Sequence, residues 1–225
     1  VYIVHRPDQT AILDYIDYLK HVLRQEKSKV VIHPVVAPYT KSSIDSVLYT
    51  EKFIKKEPFL LCFGDDLMDD DISPSRALIE IFHTHQKPVI AMQRVPKDKT
   101  NLYGIYRTQK IGPDLFKITE LLEKPAPDKA PSNLAGIGRY VLPAGIFDYF
   151  RIAKKNLDDK KEVSIVDVLD LCLKDGKDTY GWLFKGKYFD GGSHLGLLKA
   201  QVHYALKHPL FGKEVQKFLR DARRN

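Results

Sequence analysis

Residues 1–94 alternate short apolar runs with longer segments whose apolar side chains recur every three or four residues. Runs at 1–4, 30–32, 60–63 and 88–92 have the length and composition of strands, and 60–63 is typical of a buried central strand. The segments 9–26, 42–53 and 74–85 have the periodicity of amphipathic helices. This alternation predicts a doubly wound, Rossmann-like α/β fold with a parallel sheet and helices on both faces.

The pattern changes after residue 95. Segments 102–106 and 115–123, joined by Gly112-Pro113, predict a β-hairpin, so the sheet as a whole is expected to be mixed. A Pro-rich loop leads into the segment 134–142. One or two strands are predicted at 179–189, and helices at 144–155, 162–174 and 193–208. The helix at 162–174 is apolar nearly all round, which indicates a buried helix or a subunit interface and makes a homo-oligomer a reasonable expectation.

The charge, the cysteines and the apolar runs of the sequence limit the kinds of partner and compartment that we expect. The net charge of +7 and the pI of about 9.2 favour polyanionic ligands. The lysines are scattered and no aromatic-interleaved basic motif occurs, so we expect no nucleic acid partner. Cys62 and Cys172 lie in apolar runs and are predicted to be buried, reduced thiols. No signal peptide or membrane-spanning run is found, and we expect a cytoplasmic protein without a membrane partner.

The stretch Gly64-Asp65-Asp66 follows the predicted strand at 60–63 directly. In open α/β sheets, ligands bind outside the carboxyl ends of the strands. Carboxylates at that place can hold a divalent cation, and Mg²⁺ is the usual ion where the substrate is a phosphate. An aspartate pair can equally cap a turn, and these residues alone do not decide between the two interpretations.

Two further motifs are candidates for a ligand site. Gly104 stands at the start of a predicted strand, where a missing side chain admits a ligand; a β-bulge glycine is the alternative. Glu123-Lys124-Pro125 ends another strand. A glutamate can accept hydrogen bonds from vicinal sugar hydroxyls and a lysine can neutralise a phosphate, although an exposed ion pair at a turn has the same appearance.

The fourth motif is Asp190-Gly191-Gly192, after an aromatic strand end and before a helix. Asp190 is a candidate second metal ligand, and the glycines leave the space beside it open. The alternative is a turn with a helix N-cap. His194, at the start of the helix, is expected to neighbour solvent or a phosphate rather than to act as a base.

Taken in order, these motifs resemble the sugar-nucleotide pyrophosphorylases, and most closely the bacterial UTP–glucose-1-phosphate uridylyltransferases. The best stretch contains 123–125, 131–135 and 138–142, and the second runs from 190 to 200. The resemblance extends essentially from residue 1 to the region of Pro209. It implies a single nucleotidyltransferase-like domain over 1–225, with a nucleotide-binding half at 1–94, a sugar-phosphate-binding half at 95–209 and a basic C-terminal helix at 210–225.

The resemblance also implies roles for individual residues. Asp65 and Asp190 would bind Mg²⁺, Gly104 and Glu123 would contact glucose, and Lys124 would contact the sugar phosphate. Asp65, Lys124 and Asp190 would form the catalytic set. The implied reaction converts UTP and glucose 1-phosphate into UDP-glucose and pyrophosphate by in-line attack, with positioning and charge neutralisation supplying most of the rate.

The nucleotide half departs from the family pattern. The family opens with a glycine-rich loop that cradles the triphosphate, whereas this sequence begins at what resembles the second strand, so we expect an N-terminally incomplete chain. Ile44 stands where a glycine near the uracil is expected. The alternative hypothesis is therefore a catalytically silent homologue that binds a sugar phosphate or regulates an active subunit. For residues 1–225 alone we expect low activity and a tendency to associate.

Overall fold

Strands and helices alternate along most of the chain in the computed structural model, which describes residues 1–38, 42–54, 56–156 and 162–222. The strands are β1 (Tyr2–His5), β2 (His33–Val36), β3 (Phe59–Cys62), β4 (Asp66–Asp69), β5 (Val89–Arg94), β6 (Gly104–Lys110), β7 (Leu115–Glu123), β8 (Leu134–Leu142), β9 (Tyr180–Leu183) and β10 (Lys187–Asp190). The helices are α1 (Thr10–Gln25), α2 (Ser43–Leu48), α3 (Glu51–Ile54), α4 (Pro74–His85), α5 (Ile146–Asn156), α6 (Ile165–Lys174), α7 (His194–Lys207) and α8 (Gly212–Ala222).

A six-stranded sheet in the order β3-β8-β5-β9-β7-β6 forms the centre of the protein. β5 and β9 run parallel, whereas β8 is antiparallel to both β3 and β5, and β6 and β7 form the predicted antiparallel hairpin. The mixed α/β sheet expected from the sequence is confirmed. The central position expected for the strand at 60–63 is wrong, because β3 lies at the edge and pairs only with β8.

Successive residues of a strand point to opposite faces of a sheet, and β5 supplies both cores in this way. Val89 and Ala91 pack with Leu78 and Phe82 of α4 on one face. Ile90 and Met92 belong to the larger cluster on the other face, which contains residues of α2, α5 and α6. Helices therefore cover both faces, as the sequence predicts.

The apolar helix α6 is buried within this chain. Val168 and Leu169 are 0% exposed, and Ser164 caps the helix by accepting from the Asp167 amide while the Asp167 carboxylate accepts from the Ser164 amide. Burial against α5 and β7 accounts for its apolar surface without a second subunit. The homo-oligomer expected from this helix stays a prediction.

Two small sheets complete the fold: β1 pairs with β2 in parallel, and β4 pairs with β10 antiparallel. The strand predicted at 30–32 lies instead at His33–Val36 and includes Pro34. The His33 and Ala37 amides donate to β1, so the intervening Pro34 nitrogen faces away from the partner and its missing N–H breaks no bond.

Three other expectations need correction or closer definition. The helix predicted at 42–53 is split into α2 and α3 around Tyr49 and Thr50. Cys62, predicted to be buried, is exposed on the edge strand, whereas Cys172 is buried. The segment at 179–189 forms two strands, β9 and β10, and between them Gly186 lies so close to the Asp69 carbonyl that a Cβ would be 2.3 Å from its oxygen. Within the described residues, no helix is long and apolar enough to cross a bilayer.

Candidate active site

Asp65 and Asp190, far apart in the sequence, meet at one end of the ribbon formed by β4 and β10. The antiparallel register places Asp190 opposite Asp66, so Asp65 lies one residue before the ribbon. The Gly191 amide donates to the Asp65 carbonyl oxygen at 2.7 Å, which continues the pairing beyond the last strand residues. Main-chain hydrogen bonds therefore fix the relative position of the two aspartates.

The side chains of these aspartates face the same point. A Cβ built on Gly192 would lie 2.9 Å from Asp65 Oδ2 and 3.1 Å from Asp190 Oδ1, so the two oxygens lie within about 6 Å of each other. The Gly192 amide also donates to Asp190 Oδ1 at 3.0 Å. The expected convergence of the two carboxylates is observed, and glycine at 192 keeps the space beside them open.

This donor set fits a hard cation. Among the residues that the structure describes, no group of three or more His, Cys, Asp or Glu side chains is arranged to hold a metal. A cation at Asp65 and Asp190 would therefore take its remaining ligands from water and substrate phosphates, which is the usual way in which proteins bind Mg²⁺. The assignment of Asp65 and Asp190 as metal ligands stays a prediction.

Asp66 adds a third carboxylate next to this pair. Its Oδ1 accepts a hydrogen bond from the Tyr188 hydroxyl, and its Oδ2 lies against the Gly138 backbone of β8. Burial raises the pKa of Asp66, and the charges of Asp65 and Asp190 raise it further, against the opposing effect of the Tyr188 hydrogen bond. Both oxygens of Asp66 therefore contact protein groups.

The predicted sugar-binding residues come together at the end of the β6–β7 hairpin. Gly104 lies directly opposite Glu123 in the strand register. A Cβ on Gly104 would lie 3.3 Å from Glu123 Oε2 and 2.5 Å from Val166 Cγ2 of α6, so only glycine fits between them. Lys124 Nζ lies 3.7 Å from Glu123 Oε1, with the lysine side chain 61% exposed. The structure thus brings Gly104, Glu123 and Lys124 to one place.

Lys124 has an unusual backbone conformation. Its φ of 47° lies in the left-handed region, although it precedes Pro125, a position that favours extended backbone. Its amide donates to the Tyr103 carbonyl oxygen at 3.0 Å, which holds the chain where β7 ends. Non-glycine residues in such conformations occur frequently at functional sites.

Tyr103 joins the two groups of candidate residues. Burial raises the pKa of its hydroxyl, and the negative charges of Asp190 and Asp66 raise it further. The Tyr103 carbonyl oxygen accepts from the Lys124 amide. β8 passes both groups, because Ile105, next to Gly104, pairs with Ala135, and Asp66 lies against Gly138. The carboxylate pair and the sugar-binding group therefore lie near one stretch of β8.

The sequence gives no role to Tyr103 or Tyr188, and it indicates Asp66 only as a carboxylate beside Asp65 that could hold a cation. Tyr103 was visible only as the neighbour of Gly104, and the Asp66–Tyr188 contact joins residues with no local signal. His194 is exposed at the first residue of α7, as expected. Ile44, at 2% exposure, packs in the main core with Val47.

The motif Pro131-Ser132-Asn133, one of those that carry the family resemblance, has a structural role. The Ser132 hydroxyl donates to the Tyr106 carbonyl oxygen at 2.6 Å and accepts from the Leu134 amide at 2.9 Å. Asn133 accepts from Arg94 at 3.1 Å. These bonds secure the start of β8 against β5 and β6, so the motif supports the crevice from outside it.

A cavity of about 450 Å³ lies on the other side of the β10–α7 junction and is separate from these residues. It is lined by Lys187, Phe189, Leu198, Lys199, Val202, His203 and Leu206. None of the predicted site residues lines it.

The profile of the nucleotidyl transferase family matches residues 8–207. The chain belongs to this family. The match includes both groups of candidate residues, and it confirms the family that the motif order indicates.

Two relatives with assigned activities resemble this nucleotidyl transferase. A UTP–glucose-1-phosphate uridylyltransferase of Streptococcus pneumoniae is 33% identical over 193 residues, which cover 84% of this chain and 64% of the relative. A second uridylyltransferase, of Streptococcus pyogenes, is 33% identical over 209 residues, covering 91% of this chain and 68% of the relative. The chain thus spans about two thirds of the length of these relatives.

Solved structures give the same result for the fold of this nucleotidyl transferase. A UDP-glucose pyrophosphorylase complexed with UDP-glucose is 28% identical, with a TM-score of 0.81, over 92% of this chain and 81% of that structure. A UTP-bound UGPase from Acinetobacter baumannii is 25% identical, with a TM-score of 0.79, over 97% of this chain and 81% of that one. The α/β architecture expected from the sequence is therefore confirmed.

Proposed function

We propose that this chain carries the transfer centre of a UTP–glucose-1-phosphate uridylyltransferase. The proposal depends on one observation above all: Asp65 and Asp190 converge at the end of the β4–β10 ribbon, and Gly104, Glu123 and Lys124 come together at the end of the β6–β7 hairpin. Both groups lie near one stretch of β8, and in this proposal they border one substrate crevice. The two aspartates are suitable ligands for a metal ion bound to phosphates. The second group has a carboxylate for sugar hydroxyls and a lysine for a phosphate. The uridylyltransferase relatives and the UDP-glucose complex of a structural neighbour support uridine and glucose as the two halves of the product.

The carboxylates of Asp65 and Asp190 would hold Mg²⁺, which when bound neutralises charge on the phosphates and aligns them. Their acceptor oxygens and the open space at Gly192 fit this ion. The aspartates themselves are kept in place by the Gly191 and Gly192 amides.

Each residue of the second group has a different task. Glu123 would accept hydrogen bonds from glucose hydroxyls. The lack of a side chain at Gly104 leaves room for Val166 and the Glu123 carboxylate, and Gly104 would contact the sugar through its backbone. Lys124, mostly exposed, would neutralise the phosphate of glucose 1-phosphate. These contacts would orient the attacking phosphate oxygen.

In the transfer step, an oxygen of glucose 1-phosphate forms a bond with the α-phosphorus of UTP. The bond from that phosphorus to the bridging oxygen breaks, and pyrophosphate leaves with the electron pair. The attacking phosphate is already ionised near neutral pH, so no side chain needs to remove a proton. Holding the two phosphates in line and neutralising their charge therefore supplies most of the rate enhancement.

The direct test is pyrophosphate release by the purified protein with UTP, glucose 1-phosphate and Mg²⁺. Release that disappears in Asp190→Asn, while glucose 1-phosphate still binds by calorimetry, is the expected result. Binding of glucose 1-phosphate without any pyrophosphate release would support the silent, sugar-phosphate-binding alternative. Parallel assays with other nucleoside triphosphates would establish the base preference. Cytoplasmic location, the halves at 1–94 and 95–209 and the homo-oligomer remain predictions from the sequence.

A further inference from the structure

Asp66 and Tyr188 form a hydrogen-bonded pair next to Asp65 and Asp190. Side chains two residues apart on a strand point to the same face. Tyr188 therefore shares a face of β10 with Asp190, and it reaches across the ribbon to donate its hydroxyl hydrogen bond to Asp66 Oδ1. The pair lies on the side of the ribbon that carries Asp190.

The other side of the Asp66 carboxylate contacts the backbone of the central sheet. A Cβ built on Gly138 would lie 1.8 Å from Asp66 Oδ2, so this oxygen lies directly against the Gly138 backbone. Asp66 thus connects β10, through Tyr188, with β8. Since β4 and β10 pair only with each other in the described sheets, the Asp66 side chain is a contact between the ribbon and the central sheet.

We propose that Asp66 and Tyr188 are positioning residues that hold the β4–β10 ribbon against the central sheet, and so place Asp65 and Asp190 together for a divalent cation on the bound substrate. The inference rests on the proposed function, because it takes these two aspartates as the metal-binding pair. The Asp66 carboxylate faces protein groups, since its Oδ1 accepts from Tyr188 and its Oδ2 lies against Gly138. Its role is to keep the ribbon, with the turn at Asp65 and the end of β10, at one distance from the sheet.

The test measures cation binding rather than turnover. Mn²⁺ is titrated by calorimetry into the full chain saturated with UDP-glucose, comparing the wild type with Tyr188→Phe, which removes only the hydroxyl. Outer residues that orient metal ligands typically change affinity 10- to 100-fold, and we expect Mn²⁺ affinity to fall about tenfold. Tyr180→Phe is the matched control: it removes the same hydroxyl from a half-buried tyrosine of β9 that stacks on His85, and it should leave Mn²⁺ affinity unchanged.

A second variant separates positioning from direct ligation. Asp66→Asn keeps an oxygen that can accept from Tyr188, and combining it with Tyr188→Phe should weaken Mn²⁺ binding no more than the worse single change. Unchanged Mn²⁺ affinity in Tyr188→Phe, with or without a lower melting temperature, would overturn the positioning role and leave the proposed function standing. A large loss of Mn²⁺ affinity in Asp66→Asn but not in Tyr188→Phe would identify Asp66 as a metal ligand. That result would also overturn the positioning role. Absence of Mn²⁺ binding in the wild type would overturn both the inference and the proposed metal site.

Discussion

The open space at Gly192 gives the most quantitative prediction for the carboxylate pair. In Gly192→Ala, the new methyl carbon would lie 2.9 Å from Asp65 Oδ2 and 3.1 Å from Asp190 Oδ1, whereas ordinary contacts begin at 3.4 Å. The two oxygens must therefore each retreat by about 0.3–0.5 Å, more than the ~0.2 Å within which metal–ligand distances are held. We expect Mn²⁺ affinity to fall at least tenfold, about 1.4 kcal/mol.

The assay for this variant is calorimetric titration of Mn²⁺ in the presence of UDP-glucose, accompanied by a thermal melt. Gly145→Ala is the matched control, because a Cβ at Gly145 meets nothing within 4 Å. Gly192→Ala should keep a melting temperature close to that of the control while losing Mn²⁺ affinity. Wild-type Mn²⁺ affinity in Gly192→Ala would refute the reasoning that places a cation between Asp65 and Asp190.

Three further variants test the crevice and its surroundings. Glu123→Ala should weaken glucose 1-phosphate binding by about 1.5–3 kcal/mol by calorimetry, and unchanged affinity would remove Glu123 from the sugar site. Lys124→Gly should abolish pyrophosphate release yet stabilise the fold by about 1 kcal/mol in denaturant titration, because glycine adopts positive φ without strain; a clear loss of stability would contradict this. Hydrogen bonds from Lys207 and His203 lower the pKa of Asp69. Its contribution to stability is therefore present above about pH 4 and lost as the pH falls through its lowered pKa, so melts of Asp69→Asn and wild type should differ at pH 7 and converge in acid.

The helices and strands that the sequence predicts correctly are those whose pattern lies within the element itself. The 3.6-residue periodicity located α1 and α7, and Pro74 marked the first residue of α4. The same patterns misplace β2 at 30–32, because Pro34 lacks an N–H and proline is unusual inside a strand, although an edge position tolerates it. The edge position of β3 was also missed, because strand order depends on pairing partners distant in the chain.

The residues of the candidate site also fall into two groups, those predicted from the sequence and those found only in the structure. Asp65, Gly104, Glu123, Lys124 and Asp190 were found because the order of their motifs resembles a family, whereas each motif alone was ambiguous. The residues missed are those that act through contacts across the fold. The Tyr188 hydroxyl reaches Asp66 only because β4 and β10 pair, and no periodicity in either segment indicates that pairing.

The central claim is that one crevice holds a cation at Asp65 and Asp190 and a glucosyl phosphate at Glu123 and Lys124. A crystal structure of the protein with UDP-glucose and Mn²⁺, with anomalous diffraction recorded for manganese, measures both parts at once. We predict an anomalous peak within about 2.5 Å of a carboxylate oxygen of each aspartate, with the glucose hydroxyls in contact with Glu123. Manganese at another place, or glucose bound away from Glu123, would contradict the account.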